Sequence, residues 1–157
     1  MEFIIIGVGA TIVFDAWLLL LKSAGVKTMN MAFIGRWAGH LAQGRFAHES
    51  IAASPAVGGE KALGWLVHYA TGVAFAAALV AVAGSAWLHA PSIGPALAVG
   101  IATVGAPLFV MQPSMGFGVA SSKTPTPFKN CLRSLANHAV FGLGLYLTAL
   151  IVKGIAL

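Results

Sequence analysis

Four stretches of the chain are nearly unbroken runs of apolar side chains. Each is close to the roughly 20 residues that a helix needs to cross a bilayer. They cover about 3–21, 62–83, 93–111 and 135–152, and polar residues bracket them. Lys22 closes the first, Glu60 and Lys61 precede the second, Gln112-Pro113 ends the third, and Arg133 and Lys153 flank the fourth. The pattern changes in the connection 22–61. There Phe33, Ile34, Trp37, Leu41 and Phe46 recur at three-to-four-residue spacing with Arg36, His40 and Arg45 among them. That spacing predicts an amphipathic helix lying at the membrane interface. Ser54 to Gly59 then turns the chain back. In the connection 112–134, Gly116, Gly118 and Thr124-Pro125-Thr126-Pro127 predict an ordered but irregular loop, and Pro113 is expected to break the third helix. The expected fold is all-α: an integral membrane four-helix bundle, one membrane domain over 1–157, with an interfacial amphipathic helix in the first long connection.

Composition supports this and removes alternatives. Of the 157 residues, 59% are hydrophobic and 8% are charged, against roughly 25% charged in a soluble domain. Such a chain cannot clothe a core in polar side chains, so much of its outside faces lipid. The first apolar stretch lacks a basic leader and a small-residue cleavage site, and reads as a retained span. The 19 glycines suit closely packed membrane helices, and Gly72, Ala76, Gly100, Gly142 and Gly144 are placed to let them approach.

The net charge of +5 is topogenic and does not mark a nucleic-acid surface. Five basic residues (Lys22, Lys27, Arg36, Arg45, Lys61) lie in the first long connection and three (Lys123, Lys129, Arg133) in the second, so eight of the nine share one side. With four spans that side is expected to be cytoplasmic and both termini outside. Trp17, Trp65 and Tyr69 then fall in the aromatic belt on the cytoplasmic side, and Trp87 and Tyr146 in the outer belt.

Ionisable groups inside a bilayer are expensive and mark candidate sites. Three stand out. Asp15 lies seven residues before Lys22, and His68 seven residues after Lys61, so each is about 10 Å inside the boundary. His138, five residues after Arg133, lies about 7–8 Å inside. Around this level are Thr11, one turn above Asp15, Asn137 beside His138, and Gln112 at the end of the third span. A ligand or proton site built from Asp15, His68, His138, Thr11, Asn137 and Gln112 is one reading, because Asp and His together can relay protons. Another is that the same groups only bridge helices, in a structural or accessory subunit. A third is metal or haem: His68 and His138 offer axial ligands, and Met111 and Met115 offer soft donors for copper. A bound cofactor is the less favoured expectation.

Other features are weaker. His40 and His48 with Glu49 match no closed zinc spacing and are expected on a solvated or interfacial face. Cys131 lacks a recognisable base. No nucleotide loop, HExxH motif or Ser/His/Asp arrangement is present, so an enzyme is not expected. Two short echoes run through the spans. His68-x-x-x-Gly72 parallels His138-x-x-x-Gly142, and Ala10-Thr11 parallels Ala102-Thr103, as two hairpins repeated in parallel would give.

Several blocks together resemble a known family. They include Gly35-Arg36-Trp37, Gly44-Arg45-Phe46-Ala47-His48, Leu63-Gly64-Trp65 with His68-Tyr69, Gln112-Pro113 with Met115-Gly116, Ala120 through Pro125, and His138 through Tyr146. In these the chain resembles the bacterial inner-membrane family catalogued as domain of unknown function 2938. The resemblance implies a multi-pass protein of the bacterial inner membrane and no particular activity. The functional expectation is a small membrane protein that binds or moves a small solute, ion or proton. Its partners would be membrane lipid and either further copies of itself or a larger membrane complex, since four spans are few for a complete transporter.

Overall fold

The computed structural model describes residues 1–155, which are all-helical, with no strand among them. The elements in order are α1 (Glu2–Ser23), α2 (Met31–Leu41), α3 (Glu60–Ala83), a short α4 (Ala86–His89), α5 (Ile93–Ala102), a π-helical stretch (Ala106–Met111), α6 (Gln112–Ser114), a 3-10 turn (Val119–Ser121) and α7 (Pro127–Ile155). Four helical runs are long and apolar enough to cross a membrane: Glu2–Ser23, Glu60–Ala83, Ile93–Ser114 and Pro127–Ile155. Leu19, Leu66, Val82, Phe109 and Ile151 lie exposed on them, as lipid-facing positions should.

Local signals set several helix ends. In α1, Glu2 in the first turn and Lys22 in the last complement the helix dipole. Asn30 caps α2, its side chain accepting from the Ala32 amide at 3.0 Å. Proline opens α7, where a missing N–H is harmless. This last helix therefore starts eight residues before the apolar run at 135, and Lys129, Cys131 and Arg133 belong to it. The third run also departs from expectation. Pro113 does not stop it: a π-helical stretch carries the chain from Ala106 to Met111, and the helix continues through Ser114.

The chain divides into two compact units. The first comprises Met1–Thr28, Tyr69–Thr103 and the described residues from Leu135 on, and is the bundle of four helices. Its core is Ile6, Ala10, Ala76, Leu79, Trp87, Ala96, Phe141, Leu145 and Ala149. Trp87 is not a belt residue. It is buried, and its Nε1–H donates to the Ser92 carbonyl at 3.1 Å, because α4 folds the indole back over the bundle.

The second unit comprises Met29–His68 and Val104–Ser134. Its apolar centre is Ile34, Ile51 and Met115, with Met31, Phe33, Trp37, Met111 and Phe117 packed around them. In it α2 crosses the first turns of α3 in backbone contact: a Cβ on Gly35 would fall on the Glu60 carbonyl, and one on Gly64 on the Met31 carbonyl. Only glycine permits that approach. Arg36 fixes the same crossing with a two-pronged ion pair to Glu60, both N–H···O distances 2.8 Å, while its remaining nitrogen donates to the carbonyls of Ile51, Ala52 and Ser54.

Candidate functional site

In the first unit the side chains at 7, 11 and 15 of α1 lie along one face at four-residue spacing. Thr11 donates to the Gly7 carbonyl at 2.8 Å. A Cβ at Gly7 would sit 2.5 Å from the Val73 Cα and 2.9 Å from the Gly72 carbonyl oxygen, so α1 and α3 touch backbone to backbone. One turn further along, the Tyr69 hydroxyl donates to Asp15 Oδ2 at 2.9 Å.

The second hairpin of the bundle is built alike. A Cβ at Gly100 of α5 would lie 2.7 Å from the Gly142 nitrogen and 2.9 Å from the His138 carbonyl oxygen of α7. Thr103 follows Gly100 by one turn. Its hydroxyl meets the Gly100 carbonyl, and its oxygen lies 2.8 Å from His138 Nδ1. A carbonyl can only accept, so the hydroxyl proton goes to Gly100 and His138 Nδ1–H donates to the threonine oxygen. That fixes the tautomer and leaves a lone pair on Nε2. The ring is bounded by Phe14 of α1 at 6.4 Å and Phe75 of α3 at 6.5 Å between centroids, and both phenylalanines pack against Phe141.

A third bond ties α1 to α7: Trp17 Nε1–H donates to Asn137 Oδ1 at 2.9 Å. Above it, a Cβ at Gly144 would lie 3.0 Å from the Ala10 Cα. Asp15, Trp17, Tyr69, Thr103, Asn137 and His138 thus form a polar layer fed by all four long helices, next to a layer of glycine crossings. Of these, Asp15, Asn137 and His138 were expected at a site. Tyr69 and Trp17 were expected at the membrane interface, and Thr103 only as part of a sequence echo. Thr11 is buried in the glycine layer and bonds its own helix.

The remaining expected site residues fall in the second unit. His68 meets the Trp65 ring edge on at 5.8 Å. Gln112 is buried, and its Oε1 accepts from the Ser121 hydroxyl at 2.8 Å. That bond holds a strained turn, in which Ala120 and Ser121 have φ of 50° and 62°. Met115 is fully buried against Ile34 and Ile51, with Met111 beside it, so these sulfurs sit in an apolar cluster. Cys131 Sγ donates to the Ala120 carbonyl at 3.2 Å.

His40 and His48 are the largest departure from expectation. They are buried, at 6% and 5% exposure, and not on a solvated face. The rings stack with centroids 5.0 Å apart, and His40 Nδ1 lies 2.8 Å from His48 Nε2. His48 Nδ1 is 3.2 Å from the Ser114 carbonyl oxygen. Burial first, then the neighbouring His48, Arg45 and Arg36, holds the His40 imidazole below its ordinary range for taking up a proton.

The chain belongs to the family described as proteins of unknown function, DUF2938, which matches residues 4–152. No curated protein and no solved structure matches it.

Proposed function

We propose that this protein is a multi-pass protein of the bacterial inner membrane, with its basic connections in the cytoplasm and both termini outside, that binds and passes protons or a small cation through the polar layer of its bundle. The observation that carries this is that one polar layer of the bundle holds both a histidine of fixed tautomer and an acid, each oriented by a hydroxyl of its own. His138 donates through Nδ1 to Thr103 and keeps a proton-accepting Nε2, while Asp15 is held by the Tyr69 hydroxyl. Ionisable groups inside a bilayer are costly, which makes each of the two a functional candidate. Phe14, Phe75 and Phe141 fill the interior around His138, which favours a proton over a bulkier solute. Association of copies, or with a larger complex, would supply the rest of a pathway that four helices cannot enclose.

The test is reconstitution into liposomes holding a pH-sensitive dye, with an imposed potassium diffusion potential. Proton uptake should exceed that of empty liposomes and fall about tenfold or more in Asp15→Asn and His138→Gln. No uptake by the wild type, or full uptake by folded variants, overturns the reading. A second reading has an observation of its own: three hydrogen bonds of the layer, Trp17 to Asn137, Tyr69 to Asp15 and His138 to Thr103, each join two different helices. A structural subunit clamped in this way would lose thermal stability on the same substitutions and show no flux at all.

A further inference from the structure

The second unit holds a titratable pair that plays no part in the polar layer. His48 sits in the 42–59 segment between α2 and α3 and anchors it. Its backbone N–H donates to the Ser114 carbonyl at 2.8 Å, and the Ile51 N–H donates to the Met115 carbonyl at 3.0 Å. The His48 ring adds a contact to that same Ser114 oxygen. Gly116 makes room for the segment, since a Cβ there would collide with the Glu49 carbonyl.

Proton positions follow from the partners. Ser114 offers only an accepting oxygen, so His48 Nδ1 carries a hydrogen and its Nε2, when neutral, is a lone pair. The 2.8 Å inner contact then requires His40 Nδ1–H as donor. Pro55 has no N–H and meets the His40 ring with its carbonyl, so an added proton on His40 Nε2 finds an acceptor. A second added proton does not: it must occupy His48 Nε2, where it faces the His40 N–H. Two stacked imidazolium cations would then lie side by side, facing Arg36 of α2 and Arg45 of the segment, with Glu60 of α3 already engaged by Arg36.

We propose that His40 and His48 form a proton-operated latch, which accommodates one added proton and releases the 42–59 segment from Ser114 and Met115 on the second. The ligand is the proton itself, and the moving element is a loop among the basic residues of the second unit. This latch is independent of any flux through the bundle, so either can fail without the other.

Hydrogen exchange on the full protein in nanodiscs tests it. With rates corrected for intrinsic pH dependence, the peptide covering 45–53 should be protected at about pH 7.5 and lose protection about tenfold or more by about pH 5. Amides of α2 should hold theirs. His40→Asn gives the protonated His48 an accepting amide oxygen and should abolish the loss. Unchanged protection in the wild type down to pH 5 overturns the latch, as does the same acid loss in the double variant His40→Asn, His48→Gln. Should the variants not fold, nitrogen NMR of the wild-type imidazoles decides. Two coupled steps support the latch, and two independent single-step curves overturn it.

Discussion

Gly100 and Gly94 lie on the same helix, and the same substitution should act on them with opposite sign. A Cβ at Gly100 would stand 2.7 Å from the Gly142 nitrogen and 2.9 Å from the His138 carbonyl oxygen, whereas ordinary Cβ contacts begin near 3.4 Å. Both obstacles are backbone, so no rotamer change relieves them, and α5 must move away from α7 by roughly 0.5–1 Å. Overpacking of this kind costs about 1–3 kcal/mol, offset by the roughly 0.5–1 kcal/mol that alanine gains over glycine in a helix. Because both obstacles are rigid backbone the upper half of that cost applies, and the net loss of about 1–2.5 kcal/mol lowers the melting temperature of a 157-residue protein by about 2–10 °C. At Gly94 a Cβ meets nothing within 4 Å, so only the helix gain remains, about 0.5 kcal/mol or less near a helix start. Thermal unfolding followed by tryptophan fluorescence in one detergent reads both. The displacement should also stretch the 2.8 Å contact between Thr103 and His138, visible as a shift of the His138 Nδ1 resonance. A Gly100→Ala variant as stable as wild type, with an unmoved His138 resonance, would refute the claim that this crossing sets the helix separation.

Three further outcomes follow from the contacts. Trp17→Phe removes the donor to Asn137 while keeping an aromatic ring, and should lower stability by about 0.5–1.5 kcal/mol in the same melting assay. Arg36→Lys keeps the charge but cannot make the two-pronged bond to Glu60 and the carbonyl contacts together, so proteolysis within 42–59 should become faster. For His40 the folded protein binds its proton less readily than the unfolded chain, whose pKa is 6.5. Below that pH the unfolded state therefore holds more protons, and stability should fall as pH drops through about 6.5 and below while staying level above it. Melting temperatures between about pH 8 and 5 check this, and a rise in stability on acidification in this window would contradict the burial of His40.

The four spans are legible because membrane helices advertise themselves by length and apolarity alone, with Lys22, Lys61 and Lys153 near their ends. The amphipathic pattern likewise locates α2, though Phe46 falls outside it. Helix starts are harder. Pro127 through Ser134 mixes Phe128 and Leu132 with Lys129 and Arg133, a pattern that reads as loop until the helix beyond is known to extend through it. The π-helical stretch is invisible because it is a choice between carbonyls one residue apart. For the polar layer, counting residues from Lys22 and Arg133 gives the heights of Asp15 and His138. Height does not give direction around the helix, so it could not identify Tyr69 and Thr103 as partners. His40 and His48 were unreadable for a different reason: eight residues apart across a turn, they meet only because the segment folds back onto Ser114.

The echo between the two hairpins has a physical content that the sequence only hinted at. In each, a glycine of the second helix, Gly72 or Gly142, lies against a glycine of the first, Gly7 or Gly100. In each, a threonine about one turn along the first helix turns its hydroxyl onto that glycine's carbonyl, Thr11 onto Gly7 and Thr103 onto Gly100. The bond satisfies the threonine within its own helix, which matters where lipid offers no partner. It also leaves the threonine oxygen with spare accepting capacity toward the neighbouring helix. At Thr103 that capacity is taken up by His138 Nδ1–H. At Thr11 it is not needed, and the oxygen instead occupies the space that a Cβ on Gly72 would fill. One device therefore sets helix spacing in both hairpins, and in the second it also orients the ionisable ring. Close packing and polar chemistry are consequently coupled in this bundle, and a substitution that widens the Gly100 crossing must disturb the histidine as well.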